Sequence, residues 1–322
     1  MHRRPPPFGG HRRRAGQAPR QARLRAHRPA PGHQPLNEPG PAVVALGGGH
    51  GLSATLRAAR RYAGDITAVV SVADDGGSSG RLRSAFGIPA PGDLRRCLVA
   101  LADDSLWTGV FEHRFTAGEL EGHAFGNLLI AALADYTGDF EAALYETGRL
   151  LGLRGQVYPA TREPVVLKAE AGGVSVEGQV AVSNAGRISG VSVIPPDART
   201  PAGALEAIDA ADQIVVGPGS LFTSILAVVA VPALRDAIAA ARARTVYVCN
   251  LRPQVPETDG YDVAAHVAAL AAHGLDVDVV LCHPGALAMG DPGVVCVEEP
   301  IAAADLSQHD PALLGEALSR LT

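Results

Sequence analysis

The chain has 322 residues and a net charge of −5, with 47% hydrophobic residues but only 4% aromatics. That length allows one large α/β domain or two modest ones, with a core built mostly of Ala, Val and Leu. Residues 1–40 hold nine arginines against one acid, Glu38, so the rest is distinctly acidic. This argues against a broad nucleic-acid-binding face and suits local cations around a small anionic ligand.

Residues 1–40 are rich in Pro, Arg, Gly and His and lack hydrophobic periodicity, so a disordered basic extension is expected there. No apolar run follows the basic start, so no secretory signal is expected there. Lys168 is the one lysine, so the arginines reflect coding bias rather than a nucleic-acid patch. From Ala42 the pattern changes. Ala42–Leu46 reads as a buried strand, Leu52–Tyr62 as a helix and Ile66–Val72 as a second strand. Helical spacing follows over about 93–103, 125–136 and 139–151, with Leu94, Leu98 and Leu101 on one face of the first.

Residues 155–194 alternate in short β-like runs, such as Val174–Val176 and Val191–Val193, and read as a small β-hairpin insertion. Strand and helix then alternate again: Gln213–Val216, Ser220–Ala230, Thr245–Cys249, Val263–His273 and Val277–Cys282. The expected architecture is one α/β domain over 41–322, with a mostly parallel sheet covered on both faces. Cys97, Cys249, Cys282 and Cys296 have no metal-ligand spacing and read as reduced, mostly buried thiols, which fits a cytoplasmic location. No apolar stretch reaches the roughly 18 residues of a membrane span.

Ligands of open parallel sheets sit beyond the carboxyl ends of the strands. Four groups of loops lie there. Gly47-Gly48-Gly49-His50-Gly51 lets a backbone approach an anion at a helix start. It departs from the dinucleotide fingerprint at Leu52, and no Lys-Ser/Thr follows as in a P-loop. The loop Ala73–Arg81 offers Asp74, Asp75, Ser78, Ser79 and Arg81, suited to ribose, metal or phosphate. Asp93 and Asn127 serve either as helix N-caps or as ligand groups, and His123 as a phosphate ligand or acid–base group. Gly217-Pro218-Gly219-Ser220, with hydroxyls in the next turn, forms a second anion-type helix start. Two such starts point to a ligand with more than one phosphate, or a phosphate plus a second anion.

Together these motifs resemble the YvcK-type gluconeogenesis factors, of the CofD-like group related to the 2-phospho-L-lactate transferases. The resemblance covers about residues 42–320 through Gly47–Leu52, Asp74–Arg83, Pro91–Leu98, Gly122–Leu128, Gly217–Ser224, Asn250 and Glu257–Tyr261. Departures are Ala90 for a proline, Ala124 for a serine, and Leu251-Arg252-Pro253. The resemblance implies a Rossmann-like three-layer fold and a UDP-sugar ligand, UDP-N-acetylglucosamine, with no required cofactor. It also implies a regulatory role linking carbon metabolism to cell-wall synthesis and cell shape. Implied ligand contacts are Gly48, Gly49, His50, Gly51, Asp74, Asp75, Ser78, Ser79, Arg81, Asp93, His123, Asn127, Gly217, Gly219, Ser220, Asn250, Glu257, Thr258 and Tyr261. A second copy of the chain (a homo-oligomer) and cell-wall synthesis proteins are the candidate partners. The absence of an obvious nucleophile favours a binder. The alternative is a transferase that uses Mg²⁺, held by the aspartates, on a nucleotide-activated donor.

Overall fold

The structure is a computed structural model, and it describes residues 39–322. The expected basic extension lies outside the described residues, apart from Pro39 and Gly40. The described part belongs to one compact unit. Its centre is a seven-stranded sheet of β1 (Ala42–Gly47), β2 (Asp65–Val70), β3 (Gln156–Pro159), β7 (Gln213–Val216), β8 (Arg244–Val248), β9 (Val279–Cys282) and β10 (Val295–Glu298). The order is β10-β9-β8-β7-β1-β2-β3, and every pairing is parallel. β1 and β7 lie side by side, and the chain winds outward from them in opposite directions, so a topological switch point falls between them. Their continuous apolar sequences follow from burial on both faces, since neither strand has an exposed residue.

The helices are α1 (Gly49–Ala59), α2 (Gly77–Phe86), α3 (Pro91–Leu101), α4 (Leu106–Glu112), α5 (Phe125–Thr137) and α6 (Phe140–Leu151), then α8 (Ala202–Asp209), α10 (Pro232–Ala240), α11 (Val263–Ala272) and α12 (Pro311–Ser319). The amphipathic helices read from sequence, α1, α3, α5 and α6, form at their expected places within about three residues. Helix α1 starts at the glycines themselves rather than at Leu52 and packs on α3 and α12.

Three segments differ from the sequence reading. Gly77–Arg81 belongs to α2 instead of a loop: its two glycines and two serines are poor helix formers, but burial of Ser78, Ser79, Gly80 and Leu82 overrides propensity. Gln156–Pro159 pairs in parallel with β2 in the main sheet and is not part of the insertion. An edge strand alternates buried and half-buried residues, which in sequence looks like a hairpin strand. The remaining insertion is a three-stranded antiparallel sheet, β5-β4-β6, of β4 (Val166–Ala171), β5 (Val174–Glu177) and β6 (Ile188–Ile194), with the short helix α7 (Gln179–Ser183) between β5 and β6. Finally, the segment after β7 begins as a π-turn, Leu221–Ile225, before the short α-helix α9 (Leu226–Val229).

All four cysteines are free; three are buried and Cys296 is half-buried. Among the described residues no single helix is long and apolar enough to cross a membrane.

Candidate functional site at the switch point

The carboxyl ends of β1 and β7 bring the two glycine loops into contact. Gly51 lies so close to the β7 loop that a Cβ would stand 2.1 Å from the Pro218 carbonyl oxygen. The buried Thr55 hydroxyl donates to the Gly217 carbonyl at 2.6 Å. Asn250, just past β8, grips Gly219 by both backbone groups: Gly219 N donates to its Oδ1 at 3.1 Å and its Nδ2 donates to the Gly219 carbonyl at 2.9 Å. Gly217 (φ +76°) lies in the left-handed region, which a side chain would strain. Ser220 stands half-buried beside this turn and caps nothing with its side chain.

Both helix starts already hold a carboxylate of the protein. At α1, Asp93 Oδ2 accepts from Gly49 N at 2.7 Å, while its Oδ1 accepts from Arg96 Nη1 at 2.5 Å. The N-cap of α3 is Ala90, so Asp93 does not cap its own helix but reaches across the crevice. At the π-turn, Glu257 accepts from Phe222 N at 2.7 Å, Thr223 N at 3.3 Å and Thr223 Oγ1 at 3.1 Å. Glu257 is only 4% exposed and Thr258 is fully buried, so both lie beneath the site rather than in it. Thr258 closes its own turn by accepting at Oγ1 from Gln254 N at 2.8 Å. Burial pushes the Glu257 carboxyl above its ordinary range against the pull of the three donors.

The second loop splits by role. Asp74 Oδ1 accepts from Gly76 N at 2.9 Å. Burial raises the Asp74 pKa and nearby Asp93 raises it further, while Gly76 N–H and the Ser79 hydroxyl pull it down. The Asp75 carboxylate turns to the insertion, where it accepts from Val180 N at 3.0 Å, and so ties α7 to the main domain. Gly80 lets α2 start tightly, since a Cβ there would meet the Asp75 carbonyl at 1.9 Å.

Asn127 is not an N-cap either. α5 starts after Ala124, and Asn127 sits inside its first turn with its side chain in a chain of bonds. Arg95 Nε donates to Asn127 Oδ1 at 3.1 Å, Asn127 Nδ2 donates to Ser78 Oγ at 3.1 Å, and Ser78 Oγ lies 3.0 Å from His123 Nδ1. Desolvation and the charges of Arg81 and Arg114 lower the His123 pKa. Arg81 is exposed and donates to the Glu121 carbonyl at 3.0 Å. His50 is exposed at the α1 start; desolvation first, then Arg96, lowers its pKa. Tyr261 packs its ring edge-on near Phe222 (6.3 Å) and His266 (5.4 Å) and stays partly exposed.

The structure therefore gathers Gly48–Gly51, Asp74, Asp93, Gly217, Gly219, Ser220 and Asn250 around the switch point, with Ser78, Ser79, His123 and Asn127 joined through α2. Sequence reasoning missed Thr55 and, although it picked out the segment Pro91–Arg96, gave Arg95 and Arg96 no role. The signal for the arginines was present: Arg96 follows Asp93 at the helical i, i+3 spacing, and Arg95 interrupts an apolar helix face. Among the described residues, no group of three or more His, Cys, Asp or Glu is gathered to hold a metal ion; Asp74 and Asp93 make a pair.

Fold and site define a class: a doubly wound α/β protein whose glycine loops meet at the switch point. The model of the family described as 2-phospho-L-lactate transferase CofD matches residues 43–291. A gluconeogenesis factor of Halalkalibacterium halodurans is 45% identical over 75% of this chain and 77% of its own length. That of Bacillus subtilis is 45% identical over 72% and 75%. A putative gluconeogenesis factor of a Nostoc species is 48% identical, and there the match spans 72% of this chain but 52% of the relative. The crystal structure of a UPF0052 family protein from Bacillus halodurans superimposes with a TM-score of 0.83 at 38% identity, covering 87% of this chain and 99% of that one. The chain belongs to the CofD-domain family of gluconeogenesis factors.

Proposed function

We propose that the protein is a cytoplasmic regulator that binds a UDP-sugar, UDP-N-acetylglucosamine, in the switch-point crevice and couples carbon metabolism to cell-wall synthesis and cell shape. One observation carries this reading: the glycine loops after β1 and β7 abut, so the α1 start and the β7 loop meet at one edge of the sheet. First-turn N–H groups at such starts attract phosphate, and Arg96 beside Asp93 supplies a cation. The partly exposed Tyr261 ring offers a stacking surface for a base or sugar. Calorimetric titration with UDP-N-acetylglucosamine tests it. Binding is expected for the wild type and weakened binding for Asp74→Ala and Tyr261→Ala; no heat at millimolar ligand rejects the reading.

A second reading, phosphate-group transfer from a nucleotide-activated donor, is favoured by the Asp74–Asp93 pair, whose mutual repulsion contributes to the raised Asp74 pKa. These carboxylates would hold Mg²⁺, which when bound would neutralise the donor phosphates. An assay with the phospholactyl donor, a deazaflavin alcohol acceptor and Mg²⁺ decides it, and absence of product excludes it.

A further inference from the structure

The buried Arg95 has no direct place in the crevice, being only 4% exposed and lying under α5. Its position is specific. Gly126 makes room for its stem: a Cβ at 126 would stand 2.8 Å from Arg95 Cδ and 2.6 Å from Phe111 Cδ1. Glu112 Oε1 lies 3.8 Å from its Nη1.

A guanidinium donates and never accepts. Burial pushes the Arg95 pKa down to about 10, so it remains charged at neutral pH. The atom of Asn127 that faces Arg95 Nε at 3.1 Å is therefore the amide oxygen. The amide nitrogen must then face Ser78 Oγ, to which it donates at 3.1 Å. One of the two Oγ lone pairs is then used, and the acceptor that the described residues offer the Ser78 proton is His123 Nδ1 at 3.0 Å. An imidazole that accepts at Nδ1 carries its proton on Nε2 when neutral. Nε2 makes no hydrogen bond within the described residues, and the ring is partly exposed.

We propose that Arg95 is a positioning residue which, acting through Asn127 and Ser78, holds the proton of neutral His123 on Nε2 and so presents an uncharged donor to an acceptor oxygen of the ligand, a phosphate or a sugar carbonyl. The ligand half rests on the UDP-sugar reading; the tautomer does not. The first two links run one way because the guanidinium cannot accept, and the Ser78 proton extends that direction to His123. Reversing the Asn127–Ser78 link sends the Ser78 proton to residue 127 and leaves His123 Nδ1 to donate.

The test is long-range ¹H–¹⁵N NMR of the ligand-free full chain with ¹⁵N-labelled histidine, His123 being assigned by His123→Gln. The wild type is expected to show a protonated Nε2 and an unprotonated Nδ1. In Asn127→Asp the new carboxylate accepts from both Arg95 and Ser78, and the proton is expected at Nδ1. Ser78→Ala cuts the relay without burying a new charge and is expected to give a mixture of tautomers. A wild-type proton on Nδ1, or an Asn127→Asp spectrum unchanged from wild type, overturns the relay; if Asn127→Asp does not fold, an unchanged Ser78→Ala spectrum overturns it equally. UDP-N-acetylglucosamine affinity should fall about tenfold in a reversed variant, the worth of one good hydrogen bond. Reversal with unchanged affinity overturns the donor role. A wild type that binds no UDP-sugar fails the functional reading while the NMR result on the relay stands.

Discussion

The two helix starts at the switch point look alike in sequence and are built alike, yet they are not equivalent. Each follows a parallel strand, each opens on glycines, and each has its first-turn N–H groups bonded to a carboxylate from elsewhere in the chain. At α1 the carboxylate is Asp93, whose side chain is 15% exposed and which also pairs with Arg96, a side chain that is itself 26% exposed. At the π-turn it is Glu257, sealed at 4% exposure with three donors and, among the described residues, no cation paired to it. A carboxylate at the mouth can be displaced by a ligand phosphate, with Arg96 ready to pair with either anion. A buried one cannot leave without stranding its donors. On the proposed ligand reading, the first start is the exchangeable anion position and the second a structural cap, although a sequence motif ranks them equally.

That contrast can be broken experimentally. The largest effect is expected for Glu257→Ala, which strands the Phe222 and Thr223 N–H groups and the Thr223 hydroxyl in the interior. It should lower unfolding free energy by about 3 kcal/mol in urea titration; a loss no larger than that of a surface residue would show that the cap is not structural. Next comes Gly51→Ala, whose Cβ would overlap the Pro218 carbonyl at 2.1 Å. Moving α1 off the β7 loop should cost about 2 kcal/mol and abolish ligand binding, read by thermal melts and calorimetry.

Asp93→Asn sharpens the comparison from the other side. Its stability should stay within about 1 kcal/mol of wild type, because the pair is near the surface and the amide can still accept from Gly49 N. Removing the resident charge should tighten diphosphate binding about tenfold; weaker binding would mean that Asp93 holds the ligand rather than competing with it. The smallest effect is in pH dependence. Asp74 and Glu257 both have pKa values raised in the fold above their ordinary 3.8 and 4.5. The folded chain therefore binds more protons than the unfolded one in that window, and stability falls as pH rises through it. Melts across this range should show a shallower fall for Asp74→Asn than for wild type, and parallel curves would contradict the raised value.

Much of the fold was legible in the chain because its signals are local. β1, β2 and β7 are apolar runs ended by turn residues, and α3, α5 and α6 repeat leucine at helical spacing. Where reading failed, the deciding interaction was distant. Nothing in Gly77–Gly80 itself favours a helix; the packing of α2 against α3 and α5 does. Gln156–Pro159 has hairpin-like alternation because it is an edge, and its edge position is set by pairing with β2, far back in the chain. Asp93 and Asn127 were ambiguous between cap and ligand group for the same reason, since their partners Gly49 and Ser78 are 44 and 49 residues away.

Sequence alone determined the chemistry available: the glycines, hydroxyls, carboxylates and the two imidazoles, His50 and His123, that gather at the carboxyl edge of a parallel sheet. It also carried the family through the run Asp74–Arg83. The tertiary structure decided which of those groups are free to act. It buried Glu257 and Thr258 beneath the site, turned Asp75 to the insertion, and set Asp93 across the α1 start. The physical reason is that hydrogen-bond partners and desolvation are properties of neighbours in space. A residue type states what a group can donate or accept, and only packing states what is left over for a ligand.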